Sequence, residues 1–246
     1  MCPSAVGRTV SVKTVGGAVS LYGAAKTVVK PTTWLLWQPQ VQGAHHVPQR
    51  GPVILAANHL ALIDPVFIGV AAPRECTFVA KQELFGSHTL GHRAFTAVLR
   101  ALGQLSVDRE PGQGAQAAMD ACLDMLANRG ALVIFPEGSR SPDGRLYRGH
   151  TGLAWLALTS QAPVIPVALA GTQHIVGNGQ RVPRFNRVGV RFGPAVDLSE
   201  WNNQASYARS RRAATDAIMT AIQRLSNQEP CARYAASVKA ERAGGT

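Results

Sequence analysis

PVILAANHLALIDP, residues 52–65, begins as an apolar run and ends on a helix signal. Gly51-Pro52 bounds the run, which is too short for a buried helix and reads as a buried strand over 52–58. Pro65 suits the first turn of a helix, because the N–H it lacks is one that a helix start leaves unpaired. A strand, a polar turn and a helix open an α/β unit, and the turn falls at the carboxyl end of the strand, where such sheets place ligand sites. Asn58, His59 and Asp64 occupy this turn in an otherwise apolar setting. Asp64 is the first acid in the chain, and the five bases before it (Arg8, Lys13, Lys26, Lys30, Arg50) have no acid among them. A carboxylate five residues after an imidazole can fold back across the turn. It would fix the ring tautomer and leave the other nitrogen to take a proton. Alternatively, Asp64 caps the following helix and His59 is an ordinary turn residue. Both readings fit the residues at this point.

The alternation continues outward. Apolar runs at 76–80, 104–107, 131–135, 162–170 and 187–193 read as further strands. Helical patterns lie between them at FTAVLRALG, at GQGAQAAMDACLDMLANRG with Gly130 in the C-cap place, and at GLAWLALTS. A last one, YARSRRAATDAIMTAIQRL, turns Ile218, Ile222 and Leu225 inward. The expected fold is α/β, a largely parallel sheet flanked by helices, in one domain over residues 46–230. Residues 1–45 are expected to form a helical, membrane-associating segment, and 231–246 a flexible tail. The segment 15–25 is apolar but is cut off by Lys26, short of the roughly 20 residues a span needs. Val15, Val19, Tyr22 and Val29 fall near one helical face, with Trp34–Trp37 beyond Pro31, which suits a bilayer interface. A helix packed on the domain is the alternative. The four cysteines show no metal or redox spacing and read as reduced thiols. The start of the chain lacks the pattern of a signal peptide.

A net charge of +11 favours polyanions: nucleic acid, anionic headgroups or phosphorylated substrates. Arg181, Arg184, Arg187 and Arg191 stand in a stretch without an acid and read either as facing anionic lipid or as a solvated face. Other strand ends carry polar groups too. VIFPEGSRS (133–141) runs into a turn whose amides can point at an anion, with Glu137 and Arg140 in it. GQLSVDR ends on Arg109, and TFVAK on Lys81. A serine hydrolase would need a Gly-x-Ser-x-Gly elbow, which is missing. A nucleic-acid binder would leave the strand-end residues unexplained. His88 and His92 have zinc-like spacing without a third ligand, and no metal is expected.

Four blocks in this order, NHLALIDP, GQLSVDR, FPEGSRS and VIPVAL, resemble the glycerophospholipid acyltransferase family, most closely its 1-acyl-glycerol-3-phosphate acyltransferases. FVAKQEL and LYRGHTGLAWLAL are similar to family segments as well, so the resemblance covers about residues 50–200. It implies that His59 is a general base held by Asp64, acting on the free hydroxyl of a lysophospholipid. The resulting oxygen would attack a thioester of coenzyme A or acyl carrier protein directly. It further implies that Asn58, Lys81, Arg109, Glu137, Gly138, Ser139 and Arg140 bind the acceptor. No cofactor is implied. The implied setting is a monomer, peripheral or monotopic, on the cytoplasmic face of an anionic membrane. Ser139 stands where the family usually has Thr, Ser106 where it has Phe, and Tyr147-Arg148 where it has Phe-Lys. The same resemblance would accommodate glycerol 3-phosphate or another lysolipid as acceptor. A non-catalytic basic lipid-binding protein is the reading from a different class.

Overall fold

The computed structural model describes residues 18–81, 104–107, 113–175 and 184–244. Val53–Ala57 forms strand β2, fully buried along its length. A strand buried on both faces needs apolar residues at every position, which is why this run does not alternate with polar ones. Its side chains still divide by the two-residue strand period. Val53, Leu55 and Ala57 enter one core with Trp37, Phe67, Phe78, Val133 and Val167. Ile54 and Ala56 enter a second core with Leu126, Leu132, Leu156, Ile218 and Ile222 on the opposite face.

Around β2 lie β1 (Gln40–Gln42), β3 (Thr77–Lys81), β4 (Gln104–Val107), β5 (Ala131–Ile134), β7 (Val164–Ala170) and β8 (Gly189–Phe192). They make a seven-stranded sheet in the order β1-β8-β7-β2-β5-β3-β4. All pairs are parallel except β7 with β8. The carboxyl ends of β7, β2, β5, β3 and β4 therefore share one edge of the sheet. Ala56 lies opposite Ile134 and Pro166, so β2 and β5 end at a common level while β7 runs on to Ala170.

Among the described residues the α-helices are α1 (Ala18–Trp37), α2 (Asp64–Ala71), α3 (Gln113–Ala127), α4 (Gly152–Ser160), α5 (Ala208–Ser226) and α6 (Ala235–Gly244). α1 is continuous through Pro31, and its end is docked on the domain. Trp37 meets Phe67 edge-on at 6.0 Å, and its indole N–H donates to the Arg184 carbonyl at 2.9 Å. After α3 the left-handed residue is Arg129, at φ 60°, rather than Gly130. Gly130 is needed one position later for space, since a Cβ there would meet the Met125 sulfur at 2.7 Å. The expected helix at FTAVLRALG lies outside the described residues.

The end of the chain departs from expectation. Residues 231–246 were expected to be a flexible tail, but α6 covers 235–244 and is packed. Ala235 and Val238 are buried with Tyr147 in a small separate cluster. A short strand β9 (Pro230–Cys231) pairs with β6 (Leu146–Tyr147), and the Arg148 N–H donates to the Arg233 carbonyl at 2.9 Å. Apolar residues three apart, at 235 and 238, give α6 one narrow inner face, and a single turn of such a pattern does not stand out in a basic tail. Ala235→Asp should therefore lower the unfolding free energy by more than about 2 kcal/mol in urea denaturation, because it buries an unpaired charge. A frayed tail would give a change within about 0.5 kcal/mol.

Candidate active site

The turn after β2 is built around one carboxylate oxygen. Asp64 Oδ2 accepts from the Leu60 N–H at 2.7 Å, from the Ala61 N–H at 2.8 Å, and pairs with His59 Nδ1 at 2.8 Å. The carboxylate therefore faces back into the turn instead of capping the helix it begins, which decides between the two readings of the sequence. Asp64 is fully buried and the His59 side chain is 17% exposed, so the imidazole is the member of the pair that reaches the surface. Asp64 Oδ1 has no hydrogen-bond partner among the described residues. With Nδ1 turned to the carboxylate, Nε2 is the ring nitrogen directed elsewhere. Phe135 stacks on the imidazole, with ring centroids 4.1 Å apart and planes at 21°. Ring rotation is thus restricted from a face and from an edge.

The neighbouring turn after β5 locks onto the first. The His59 N–H donates to Glu137 Oε1 at 2.9 Å, and the Ser141 N–H donates to the His59 carbonyl at 2.7 Å. Glu137 Oε2 accepts the Tyr147 N–H at 2.9 Å. Both carboxylate oxygens are thus occupied by the backbone, and the residue is 1% exposed. The resemblance made Glu137 an acceptor ligand; in the structure it ties two turns together. Asn58 too bonds to the chain around it. It is fully buried, its amide nitrogen donates to the Leu169 carbonyl and to Gln228 Oε1, and its amide oxygen accepts the Leu169 N–H. It extends the β2–β7 pairing by one side chain.

Gly138 adopts φ +70°, and a Cβ there would lie 2.9 Å from the His150 ring. The residue is glycine for both reasons. Ser139 follows, half-buried, with the Lys239 ammonium 3.3 Å from its hydroxyl, and Arg140 is exposed. Lys81 ends β3 on the same edge of the sheet, but its side chain lies outside what is described, as does the whole of Arg109. The structure therefore gathers His59, Asp64, Glu137, Gly138 and Ser139 at one edge. Sequence reasoning missed Gln228 and Lys239, which come from beyond α5. Arg184, Arg187 and Arg191 are exposed, and Arg181 lies outside the described residues. Among the described residues, no group of three or more His, Cys, Asp or Glu is placed to hold a metal ion.

Burial pushes the Glu137 carboxyl up to about 7 from its ordinary 4.5; the Tyr147 and His59 N–H groups pull it down, Asp64 pushes it up, and Lys239 pulls it down. A carboxyl whose pKa rises on folding takes up protons as the chain folds between the two values, so stability falls as pH rises through that window. The wild-type chain should lose on the order of 3 kcal/mol from this group between pH 4.5 and pH 7. Glu137→Gln removes the titration. The stability gap between wild type and variant should therefore narrow over that range in urea denaturation, and a constant gap would contradict the assignment.

The acyltransferase family model matches residues 38–170. A 1-acyl-sn-glycerol-3-phosphate acyltransferase of Limnanthes alba is 31% identical over 170 residues, which is 68% of this chain and 58% of that protein. The alpha form of 1-acyl-sn-glycerol-3-phosphate acyltransferase of Homo sapiens is 27% identical over 158 residues, 64% of this chain and 54% of its own. The chain thus spans a little over half the length of the curated relatives it matches. The crystal structure of the 1-acyl-sn-glycerophosphate acyltransferase of Thermotoga maritima shares the fold, with a TM-score of 0.63 at 23% identity, covering 85% of this chain and 79% of that one. The family match takes in both turns that hold His59, and the chain belongs to the acyltransferase family.

Proposed function

We propose that this chain transfers a fatty acyl group from an acyl thioester to the free hydroxyl of 1-acyl-sn-glycerol 3-phosphate, giving phosphatidic acid. The observation that carries the reading is the 2.8 Å contact of His59 Nδ1 with buried Asp64, beside an open turn of Gly138, Ser139 and Arg140. Nε2 of His59 takes the hydroxyl proton as the acceptor oxygen attacks the thioester carbonyl. The carbon–sulfur bond then breaks, and the proton passes from Nε2 to the leaving thiolate. Asp64 stays beside the ring in both states and holds it in place. The thioester already activates the acyl group, so the scheme asks no metal and no resident cofactor. Coenzyme A or acyl carrier protein serves as carrier of the donor.

The membrane supplies the acceptor. Among the described residues no helix is long and apolar enough to cross a bilayer. Leu35 is 80% exposed and Phe185 is 68% exposed. Phe185 lies beside Trp37, with ring centroids 6.0 Å apart, and Arg184 and Arg187 are exposed in the same segment. An exposed aromatic ring bordered by arginines suits an anionic headgroup layer. We place this corner against the cytoplasmic face, with the chain bound peripherally as a monomer.

The test is acyl transfer from acyl-coenzyme A or acyl carrier protein to 1-acyl-glycerol 3-phosphate in liposomes, read as labelled phosphatidic acid. Wild type should turn over with at least one carrier, and His59→Ala should lower kcat by about a hundredfold or more without lowering the melting temperature. Turnover in His59→Ala close to wild type would remove His59 as base. No product with either carrier would remove the acceptor assignment.

A further inference from the structure

α6 brings a cation to the active site from a part of the chain that the family match does not reach. That match ends at residue 170, and Lys239 lies far beyond it. The helix is fixed on both sides. Ala235 and Val238 are buried against Tyr147, whose N–H is held by Glu137. Arg242 donates to the Pro142 carbonyl at 3.4 Å and to Asp143 at 3.2 Å. Asp143 in turn accepts from the Tyr147 hydroxyl and from Arg145. With Val238 facing inward, the next side chain lies along the rim of the 137–141 turn, and the Lys239 ammonium reaches Ser139 Oγ at 3.3 Å.

Ser139 stands two residues after Glu137, and Glu137 holds the backbone of His59. Base, turn and ammonium thus belong to one connected corner of the sheet edge. An ammonium is a compact point charge with three donors, suited to a phosphate oxygen. A half-buried position on a docked helix reduces the freedom that a long side chain would otherwise lose on binding.

We propose that Lys239 is a specificity-determining cation, docked by α6 at Ser139 to hold the phosphate of the acceptor beside His59; this rests on the acyl-transfer reading above. The test uses the full chain as wild type, Lys239→Met and Lys239→Arg. With 1-acyl-glycerol 3-phosphate in liposomes, Lys239→Met should raise KM about tenfold while kcat changes less than about twofold, and Lys239→Arg should recover most of the loss. A brace without substrate contact would instead move kcat and melting temperature together, and arginine would not restore KM. Calorimetric binding of glycerol 3-phosphate gives a readout independent of turnover, with Kd expected to rise about tenfold in Lys239→Met. Lys239→Gln replaces the Met variant if that one does not fold. If wild type shows no transfer but binds glycerol 3-phosphate through Lys239, the acyl-transfer reading falls and the phosphate site stands. Unchanged KM and Kd in Lys239→Met, or a wild type that binds no glycerol 3-phosphate, would overturn the proposal.

Discussion

Oδ2 of Asp64 gathers two backbone N–H groups and one imidazole nitrogen within hydrogen-bond distance. The two N–H groups set the path of the turn, and the imidazole contact sets the ring. A buried carboxylate is costly unless it is paired, and these donors are its compensation. The same residue is the first of α2, so the turn, the helix start and the ring orientation depend on one side chain. The apolar surroundings that make Asp64 look misplaced in the sequence are what give its hydrogen bonds their strength.

The sheet turns that local arrangement into a site. Parallel pairing of β2 with β5 places their carboxyl ends at one level. Glu137 can then reach the His59 N–H while its other oxygen holds Tyr147. On the other side of β2, Asn58 clasps both polar groups of the Leu169 backbone. Gln228, arriving from beyond α5, donates to the Gly144 carbonyl and accepts from Asn58. The backbone around His59 is therefore held by Glu137 on one side of β2 and by Asn58 on the other. The turn beyond Glu137 supplies the open surface.

Much of this was legible in the sequence. Val53–Ala57 could only be a buried strand, and the residues on either side of it fixed the turn and helix. The strand-end polar groups that the sequence singles out and the structure describes lie at one edge of the sheet. Roles were harder to read than places. Asn58 and Glu137 are polar residues at neighbouring strand ends, and nothing in their spacing shows which backbone groups they bond. The strands β1, β6 and β9 are too short to show a period. α6 escaped notice because its buried face is small, and its stability comes from docking on Tyr147 rather than from its own pattern.

The central claim is that Asp64 fixes the His59 tautomer and so directs Nε2 to the reaction. Heteronuclear NMR of isotope-labelled histidine in the full chain tests it directly, with the His59 signals assigned by their loss in His59→Gln. The account predicts a proton on Nδ1 and a bare Nε2 in the neutral ring, and a redistribution between the two nitrogens in Asp64→Asn. A wild-type ring protonated on Nε2, or a tautomer indifferent to the loss of the carboxylate, would contradict it.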